Sequence, residues 1–327
     1  MKIAVVGATG LVGREMLAVL AERGFGSHDV MAAASERSVG KKIDFAGRQL
    51  EVHGVGEAIA WQPDYAIFSA GAAASRQYAP LFAAAGTTVI DNSSAWRKDP
   101  GVPLVVPEIN IGAVKPSDRI IANPNCSTIQ MVLALSALQR RYGLRRLVVA
   151  TYQSITGTGL MAVRQLEAED RGEKCASPAY PYPIHRNLFP HGGDFQPDGY
   201  TTEEQKLIDE TRKIFADPTI AITATVVRVP VVGGHSEAVN AELRQPYDLD
   251  EARALIAATP GVVVYDDPQA NLYPMPLLAH HRDEVWVGRL RRDPSAPNAL
   301  NLWVVADNIR KGAATNAIQI MQSLLAR

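Results

Sequence analysis

The chain has 327 residues, of which 47% are hydrophobic and 20% charged, and its formal net charge is −1. That length suits two domains with separate cores, and a balanced charge without long blocks of one sign argues against a nucleic-acid partner. No apolar run reaches the roughly 18 residues of a membrane span, and Met1–Gly7 reads as the first strand of a fold rather than as a signal peptide.

Lys2–Val6 is a short apolar strand, followed by a glycine-rich turn and a helix-like segment over Arg14–Arg23. Further strands are expected at Val30–Ala34, Tyr65–Ser69, Thr88–Asp91, Leu104–Val106 and Arg119–Ala122, with a helix at Ser75–Ala85. Strands that are apolar throughout and interleaved with helices predict a parallel sheet covered on both faces. A helix follows over Ser127–Leu138, then a strand over Leu147–Ser154. The Pro-, Gly- and aromatic-rich stretch Ser177–Gly199 reads as an ordered loop. Thr202–Phe215 is a helix with a capped start. Ile220–Val232, Ser236–Leu243, Val262–Tyr265, Glu284–Leu290 and Ala299–Val305 predict a second, mostly antiparallel sheet. Ile309–Ala326 is a helix with Ala313, Ala317, Ile320 and Leu324 on one face, of a kind that packs back on the first domain. These features give a domain over 1–126 completed by 306–327, and a second domain over 127–305.

Gly7-Ala8-Thr9-Gly10-Leu11-Val12-Gly13 joins the first strand to the first helix. Glycines there permit a tight turn and a close approach of a pyrophosphate to backbone N–H groups, which points to a dinucleotide. The loop after the second strand, Ser35-Glu36-Arg37-Ser38-Val39-Gly40-Lys41-Lys42, holds one acid against several cations and hydroxyls. That balance favours the 2′-phosphate of NADP over the bare ribose of NAD; the plainer alternative is a solvated charged loop.

Asn123-Pro124-Asn125-Cys126-Ser127-Thr128 places one of two cysteines where a strand gives way to a helix. The positive end of the helix dipole favours thiolate, so Cys126 reads as a nucleophile, although a free cysteine is as often a small buried hydrophobe. Cys175 has no activating neighbour; it could pair with Cys126, but a chain of this length needs no disulfide framework, and a cytoplasmic setting is expected. A thiol nucleophile needs a base and groups that hold its substrate. Gly233-Gly234 sets His235 at a turn between strands, where its imidazole suits proton transfer near neutral pH. Arg228, on the strand leading in, has the fork to clamp a carboxylate. Tyr152-Gln153-Ser154-Ile155-Thr156-Gly157-Thr158-Gly159 offers an amide, Gln153, and glycine backbone that a flat ring can approach. No cluster has metal-ligand spacing, and the His280-His281 pair is expected to be exposed and without an Asp or Cys partner.

Together these segments resemble aspartate-semialdehyde dehydrogenase. The resemblance also rests on Asp91-Asn92-Ser93-Ser94-Ala95-Trp96-Arg97, Val106-Pro107-Glu108-Ile109-Asn110, Tyr273-Pro274-Met275-Pro276, Val287-Gly288-Arg289 and Asp307-Asn308-Ile309-Arg310-Lys311-Gly312. It spans nearly the whole chain in the family's order. It implies an α/β protein: a Rossmann-type NADP-binding domain and an α+β domain like that of glyceraldehyde-3-phosphate dehydrogenase. It also implies a homodimer or dimer of dimers. The implied reaction interconverts L-aspartate 4-semialdehyde, phosphate and NADP+ with 4-aspartyl phosphate and NADPH, serving lysine, threonine, methionine and diaminopimelate biosynthesis. By resemblance, Cys126 is the nucleophile, His235 the acid/base, Gln153 the residue orienting the intermediate and Arg228 the carboxylate clamp. Glu203 matches an amine contact, while Arg97, Asn125 and Lys206 match the phosphate site. The cofactor contacts would be Gly7, Thr9, Gly10, Leu11, Val12, Gly13, Ser35, Arg37, Ser38, Ser154, Gly157 and Asn308. Three departures stand out: the Ser-Ile-Thr-Gly-Thr-Gly loop after Gln153, the glycine-rich Pro190–Phe195 segment, and Glu36. The nearest rival, N-acetyl-γ-glutamyl-phosphate reductase, has a cysteine motif closer to Asn-Pro-Gly-Cys-Tyr and needs no ammonium partner such as Glu203. A catalytically silent paralogue acting as a binding protein would have lost the nucleophile, which is present here.

Overall fold

The alternation of Ile3 and Val5 against Ala4 and Val6 puts apolar side chains on both faces of the first strand, and both faces are buried. A computed structural model describes residues 1–327 and divides them into two units, Met1–Asn125 with Ala313–Arg327, and Cys126–Gly312.

The first unit comprises β1 (Lys2–Val6), α1 (Leu11–Glu22), β2 (Asp29–Ala34), β3 (Lys42–Phe45), β4 (Arg48–Gly54), α2 (Val55–Ala60), β5 (Tyr65–Phe68), α3 (Ala72–Ala84), β6 (Thr88–Asp91), α4 (Pro107–Asn110) and β7 (Ile120–Ala122). The sheet order is β3-β4-β2-β1-β5-β6-β7, parallel except for β3. Strand order reverses at β1, so the turn after it opens at the switch point where such sheets bind ligands. Leu104–Val106 is not a strand: Leu104 makes one parallel bridge to Ala122, and Pro107 starts α4 directly afterwards. The β3–β4 hairpin was not foreseen: β3 is only four residues long, and its first, Lys42, closes the charged loop.

The second unit comprises α5 (Cys126–Tyr142), β8 (Leu144–Ser154), α6 (Leu160–Asp170), α7 (Thr202–Ile214), β9 (Ala221–Val229), β10 (His235–Leu243), α8 (Leu249–Ala257), β11 (Val262–Val264), α9 (Pro276–Ala279), β12 (Val285–Arg292) and β13 (Ala299–Ala306). Its sheet runs β11-β12-β13-β10-β8-β9, with antiparallel pairs except β11–β12 and β8–β9. Helix α5 is buried along most of its length; Leu133, Leu135 and Leu138 are fully enclosed, each contributing on the order of 2 kcal/mol by burial. On β8 and β10 alternate residues turn toward these helices, while Val148, Ala150 and Tyr152 stay half-exposed on the other face.

The chain end does not form one helix from Ile309. Arg310–Ala314 is a π-helical turn, and α10 covers Thr315–Leu325. Ala317, Ile318, Ile320 and Met321 of α10 join Ile3, Val5, Leu17 and Leu20 in the first unit's core. Residues 306–312 stay with the second unit, where Asp307 accepts from the Ile309 and Arg310 N–H groups and from His280. Ser177–Gly199 is ordered without helix or strand. Gln165 Oε1 accepts from the Ala179 and Tyr180 N–H groups, and a Glu169 oxygen accepts from those of Ile184 and His185, each at 2.8–2.9 Å.

Candidate active site

In the first unit the work is done by backbone. Gly7 adopts φ +89°, and a Cβ there would lie 2.3 Å from the Ser69 carbonyl oxygen; a Cβ on Gly13 would lie 2.1 Å from the Gly7 oxygen. Only glycine fits at either place. Gly10 caps α1 with no side-chain hydrogen bond, so the first N–H groups of α1 are offered to an anion. The turn therefore fits a dinucleotide pyrophosphate. After β2, Ser35, Glu36 and Arg37 are exposed and Ser38 is buried. The Glu36 carboxyl lies beside Gly54, the residue that caps α2. A helix start favours an acid, which gives Glu36 a role within the fold.

Also in the first unit, Arg97 is 7% exposed and donates from Nη2 to the Asn92 carbonyl at 2.8 Å. Asn123 Nδ2 donates to Asn92 Oδ1 at 2.7 Å, and Asn316 Nδ2 donates to Asn123 Oδ1 at 2.7 Å. The segment after β6 that carries Arg97 and the approach to Asn125 are thus tied to one asparagine ladder. Burial pushes the adjacent Asp91 carboxyl up, against hydrogen bonds from Ser93 and Ser75 and the charge of Arg97.

In the second unit, Cys126 is the half-buried first residue of α5. A Cβ on Gly312 would stand 2.8 Å from the Cys126 Cβ, so the π-helical turn presses bare backbone against the cysteine. The next residue, Ser127, accepts from Gln153 Nε2 at 2.9 Å. One turn further, Gln130 Nε2 donates to the His235 carbonyl at 3.3 Å. Sheet register completes the cluster, pairing Gln153 with Arg228 across β8–β9 and Tyr152 with Ser236 across β8–β10.

His235 is fully buried. Its Nδ1 accepts from the Ser154 N–H at 3.0 Å, which leaves the ring proton on Nε2. Nε2 has no partner within the chain. Desolvation, then the nearby Arg228 charge, hold the imidazole well below 6.5, so it rests neutral. Arg228 is 5% exposed; Nη1 donates to the Ser154 carbonyl at 2.7 Å, and Nε has no partner. Gly157 is exposed, and a Cβ there would come within 3.1 Å of His235 Nε2 and 3.0 Å of Arg228 Nη1. A side chain at this position would press on both groups, so the glycine leaves them room.

Glu203 and Lys206, neighbours on α7, form an ion pair with each other. The helix opens with a capping box between Thr201 and Glu204, as its sequence predicts. The departure at Pro190–Phe195 is explained here. Gly193 has φ +75° and a Cβ would strike Thr202 Oγ1 at 2.1 Å, while a Cβ on Gly192 would meet Val226 and Glu203. The loop needs both glycines to lie against the start of α7.

Gln153, Arg228 and His235 are thus gathered with Ser127, the residue after Cys126, in one unit, while Arg97, Asn125 and the glycine turn belong to the other. Ser154 is less available than expected. Its N–H, carbonyl and hydroxyl are engaged by His235, Arg228 and the Val231–Gly233 turn, so it holds the imidazole and guanidinium in place. Asn308 Oδ1 likewise accepts from Thr156 Oγ1 and the Gly234 N–H. The His280-His281 expectation needs correction: His281 is exposed, but Asp307 Oδ2 lies 3.0 Å from His280 Nδ1 and accepts from the His281 N–H at 2.8 Å. Residues distant in sequence supply that acid, which spacing alone hides. Ser127, Asn123 and Gly312 were also missed as site residues, although the first two lie inside the motif around Cys126.

A family model for the semialdehyde dehydrogenase NAD-binding domain matches residues 2–116, and one for the semialdehyde dehydrogenase dimerisation domain matches 135–311. The chain is 48% identical to aspartate-semialdehyde dehydrogenase from Aquifex aeolicus, covering 99% of this chain and 98% of that one. Identity is also 48% to the Legionella pneumophila enzyme, with 99% and 95% covered. Aspartate semialdehyde dehydrogenase II of Vibrio cholerae, solved in complex with ASA, superposes with a TM-score of 0.95 at 42% identity, covering 99% and 98% of the two chains. The glycine turn, the buried polar side chains gathered beside Cys126 and similarity over the full length agree, and the chain belongs to the aspartate-semialdehyde dehydrogenase family.

Proposed function

We propose that the protein interconverts L-aspartate 4-semialdehyde, phosphate and NADP+ with 4-aspartyl phosphate and NADPH, and that in the reductive direction it serves lysine, threonine, methionine and diaminopimelate biosynthesis in the cytoplasm. The observation that carries this reading is the joining of Cys126's helix to Gln153 through Ser127 and to His235 through Gln130. In the oxidative direction the Cys126 thiolate adds to the aldehyde carbon, and the new C–S bond creates a thiohemiacetal oxygen. His235 Nε2–H is the donor that stabilises that oxygen as charge develops. A bound nicotinamide would supply the acceptor for the hydride of the thiohemiacetal carbon. A phosphate oxygen then attacks the resulting thioester, the C–S bond breaks, and Cys126 leaves as thiolate. Arg228 holds the substrate carboxylate and Glu203 its ammonium; Arg97, Asn125 and Lys206 hold the phosphate. Gln153 orients the thioester carbonyl.

NADP is supported by the turn that only glycine fits and by Arg37 and Ser38 after β2, with Glu36 drawn toward α2. Thr9, Leu11 and Val12 contribute turn and helix-start backbone, and Ser35 a hydroxyl; Gly157 supplies open backbone and Asn308 the adjoining wall. The half-exposed sheet face, with Tyr152 against Trp303 at 5.4 Å between ring centroids and Tyr273 and Met275 each 39% exposed, supports pairing of two copies through the second unit. The test is NADP+ reduction by the purified protein given aspartate semialdehyde with and without phosphate. Turnover instead with the N-acetylated glutamate analogue would move the assignment to the rival reductase.

A further inference from the structure

The ordered loop over 177–199 has no part in these steps, yet two of its aromatic residues bear on the site. Phe189 exchanges backbone hydrogen bonds with Arg228: the Arg228 N–H donates to the Phe189 carbonyl at 2.9 Å, and the Phe189 N–H donates back at 3.2 Å. Tyr180 stands edge-on to Phe189, with ring centroids 5.1 Å apart. Its ring is buried with Ile155, Ala162, Leu166 and Ile184, and its N–H is held by Gln165 of α6 at 2.9 Å. A buried phenol needs a partner for its hydroxyl, and Tyr180 Oη donates to Thr158 Oγ1 at 2.8 Å. Burial pushes the phenol up, with the Arg228 charge and the Thr158 bond opposing, so Tyr180 keeps that proton at neutral pH.

Thr158 ends the short turn Ile155–Thr158, which carries Gly157 past Arg228 Nη1 and His235 Nε2. Those two groups are placed by the Ser154 backbone, whose N–H bonds His235 Nδ1 and whose carbonyl bonds Arg228 Nη1, so neither depends on the turn. The turn has a different problem. Gly157 is exposed and has no side chain to anchor it, and glycine is the residue with most backbone freedom to lose. Its place must therefore come from its two neighbours. Thr156 is tied inward, its N–H donating to Ser154 Oγ at 3.2 Å and its Oγ1 to Asn308 Oδ1 at 3.0 Å. Thr158 is exposed, and the tie on its side chain is the bond from Tyr180.

We propose that Tyr180 is a positioning residue for substrate capture: acting through Thr158, it latches the Gly157 turn beside Arg228 and His235, so that a substrate held by them meets backbone already in place. This rests on the reading of Arg228 and His235 as groups that hold the substrate. Without the latch the turn would have to be ordered on binding, which costs affinity. The reacting groups keep their own supports either way, so the latch acts on KM and not on kcat.

The test measures kcat and KM for aspartate semialdehyde, with phosphate and NADP+ saturating, in Tyr180→Phe, Thr158→Val, Thr158→Ser and the double variant that joins the first two. Tyr180→Phe removes one oxygen and leaves the ring in its place. It should raise KM about 3- to 10-fold with kcat within about twofold of the parent. Thr158→Val keeps the shape and loses the acceptor, so it should match. The double variant should be no worse than either, because all three break the same bond. Thr158→Ser restores the acceptor and should return KM to near the parent value. A parent KM in Tyr180→Phe, additive losses in the double, a fall in kcat with KM unmoved, or Thr158→Ser as weak as Thr158→Val would overturn the proposal. Backbone amide exchange over 155–159, followed by mass spectrometry, reads the latch without turnover: faster in Tyr180→Phe and Thr158→Val, at the parent rate in Thr158→Ser. Unchanged exchange in Tyr180→Phe would sink the inference; failure of the parent to turn over aspartate semialdehyde would sink the functional reading instead.

Discussion

The two units build their sites by opposite means. The first uses backbone that side chains must stay away from, at Gly7 and Gly13. The second uses buried side chains, Gln153, Arg228 and His235, brought together from separate strands. A site of the first kind is local in sequence and tolerates change outside its turn. A site of the second kind depends on sheet register and on hydrogen bonds that hold polar groups away from water.

Removing the sulfur should break the comparison most completely. Cys126→Ala is expected to lower turnover by about 10⁴-fold or more while cofactor titration, followed by NADPH fluorescence, stays unchanged. Retained activity would end the thiol mechanism. Gly13→Ala makes the converse cut. Its Cβ would enter the space of the Gly7 oxygen, so cofactor binding should weaken by about 100-fold or more, while alkylation of Cys126 by iodoacetamide proceeds at the parent rate. Equal loss of both would show that the units do not fail separately.

Arg228→Lys sharpens the contrast. A point charge replaces a fork, so KM for aspartate semialdehyde should rise about 10- to 100-fold with cofactor affinity unchanged; a matching loss of cofactor affinity would contradict the clamp role. His235 supplies a pH signature. Its folded pKa is depressed, so its contribution to stability is present above about 6.5, the unfolded value, and is lost as pH falls through the folded one. Urea midpoints should therefore decline below pH 6.5 in the parent, and less steeply in His235→Asn; parallel curves would contradict a buried neutral imidazole. The smallest effect is expected at Gln165→Leu, which strands the Ala179 and Tyr180 N–H groups and should cost about 2 kcal/mol of stability, measured by urea unfolding. An unaltered midpoint would mean that this loop contributes nothing to the unit.

The same difference explains what the sequence disclosed. The β1–glycine turn–α1 unit was legible because strand, turn and helix follow within one short run, although the Ser69 carbonyl that closes on Gly7 comes from a distant strand end. Cys126 at a helix start was legible for the same reason. The Ser154–His235 and Gln153–Ser127 contacts were not, since they depend on how β8 pairs with β10 and where α5 crosses them. Asp307 beside His280 was hidden likewise. The π-helical turn at Arg310–Ala314 was masked by a composition that suits an ordinary helix. What it provides, bare backbone against the Cys126 Cβ, appears only in three dimensions.

The central claim is that one thiol, Cys126, both accepts the aldehyde and surrenders an acyl group to phosphate. Rapid mixing of the enzyme with NADP+ and aspartate semialdehyde, without phosphate, isolates the first half. The account predicts a burst of NADPH stoichiometric with Cys126, followed by steady turnover only when phosphate is added. Continuous turnover at the same rate without phosphate, or a burst that persists in Cys126→Ala, would contradict it.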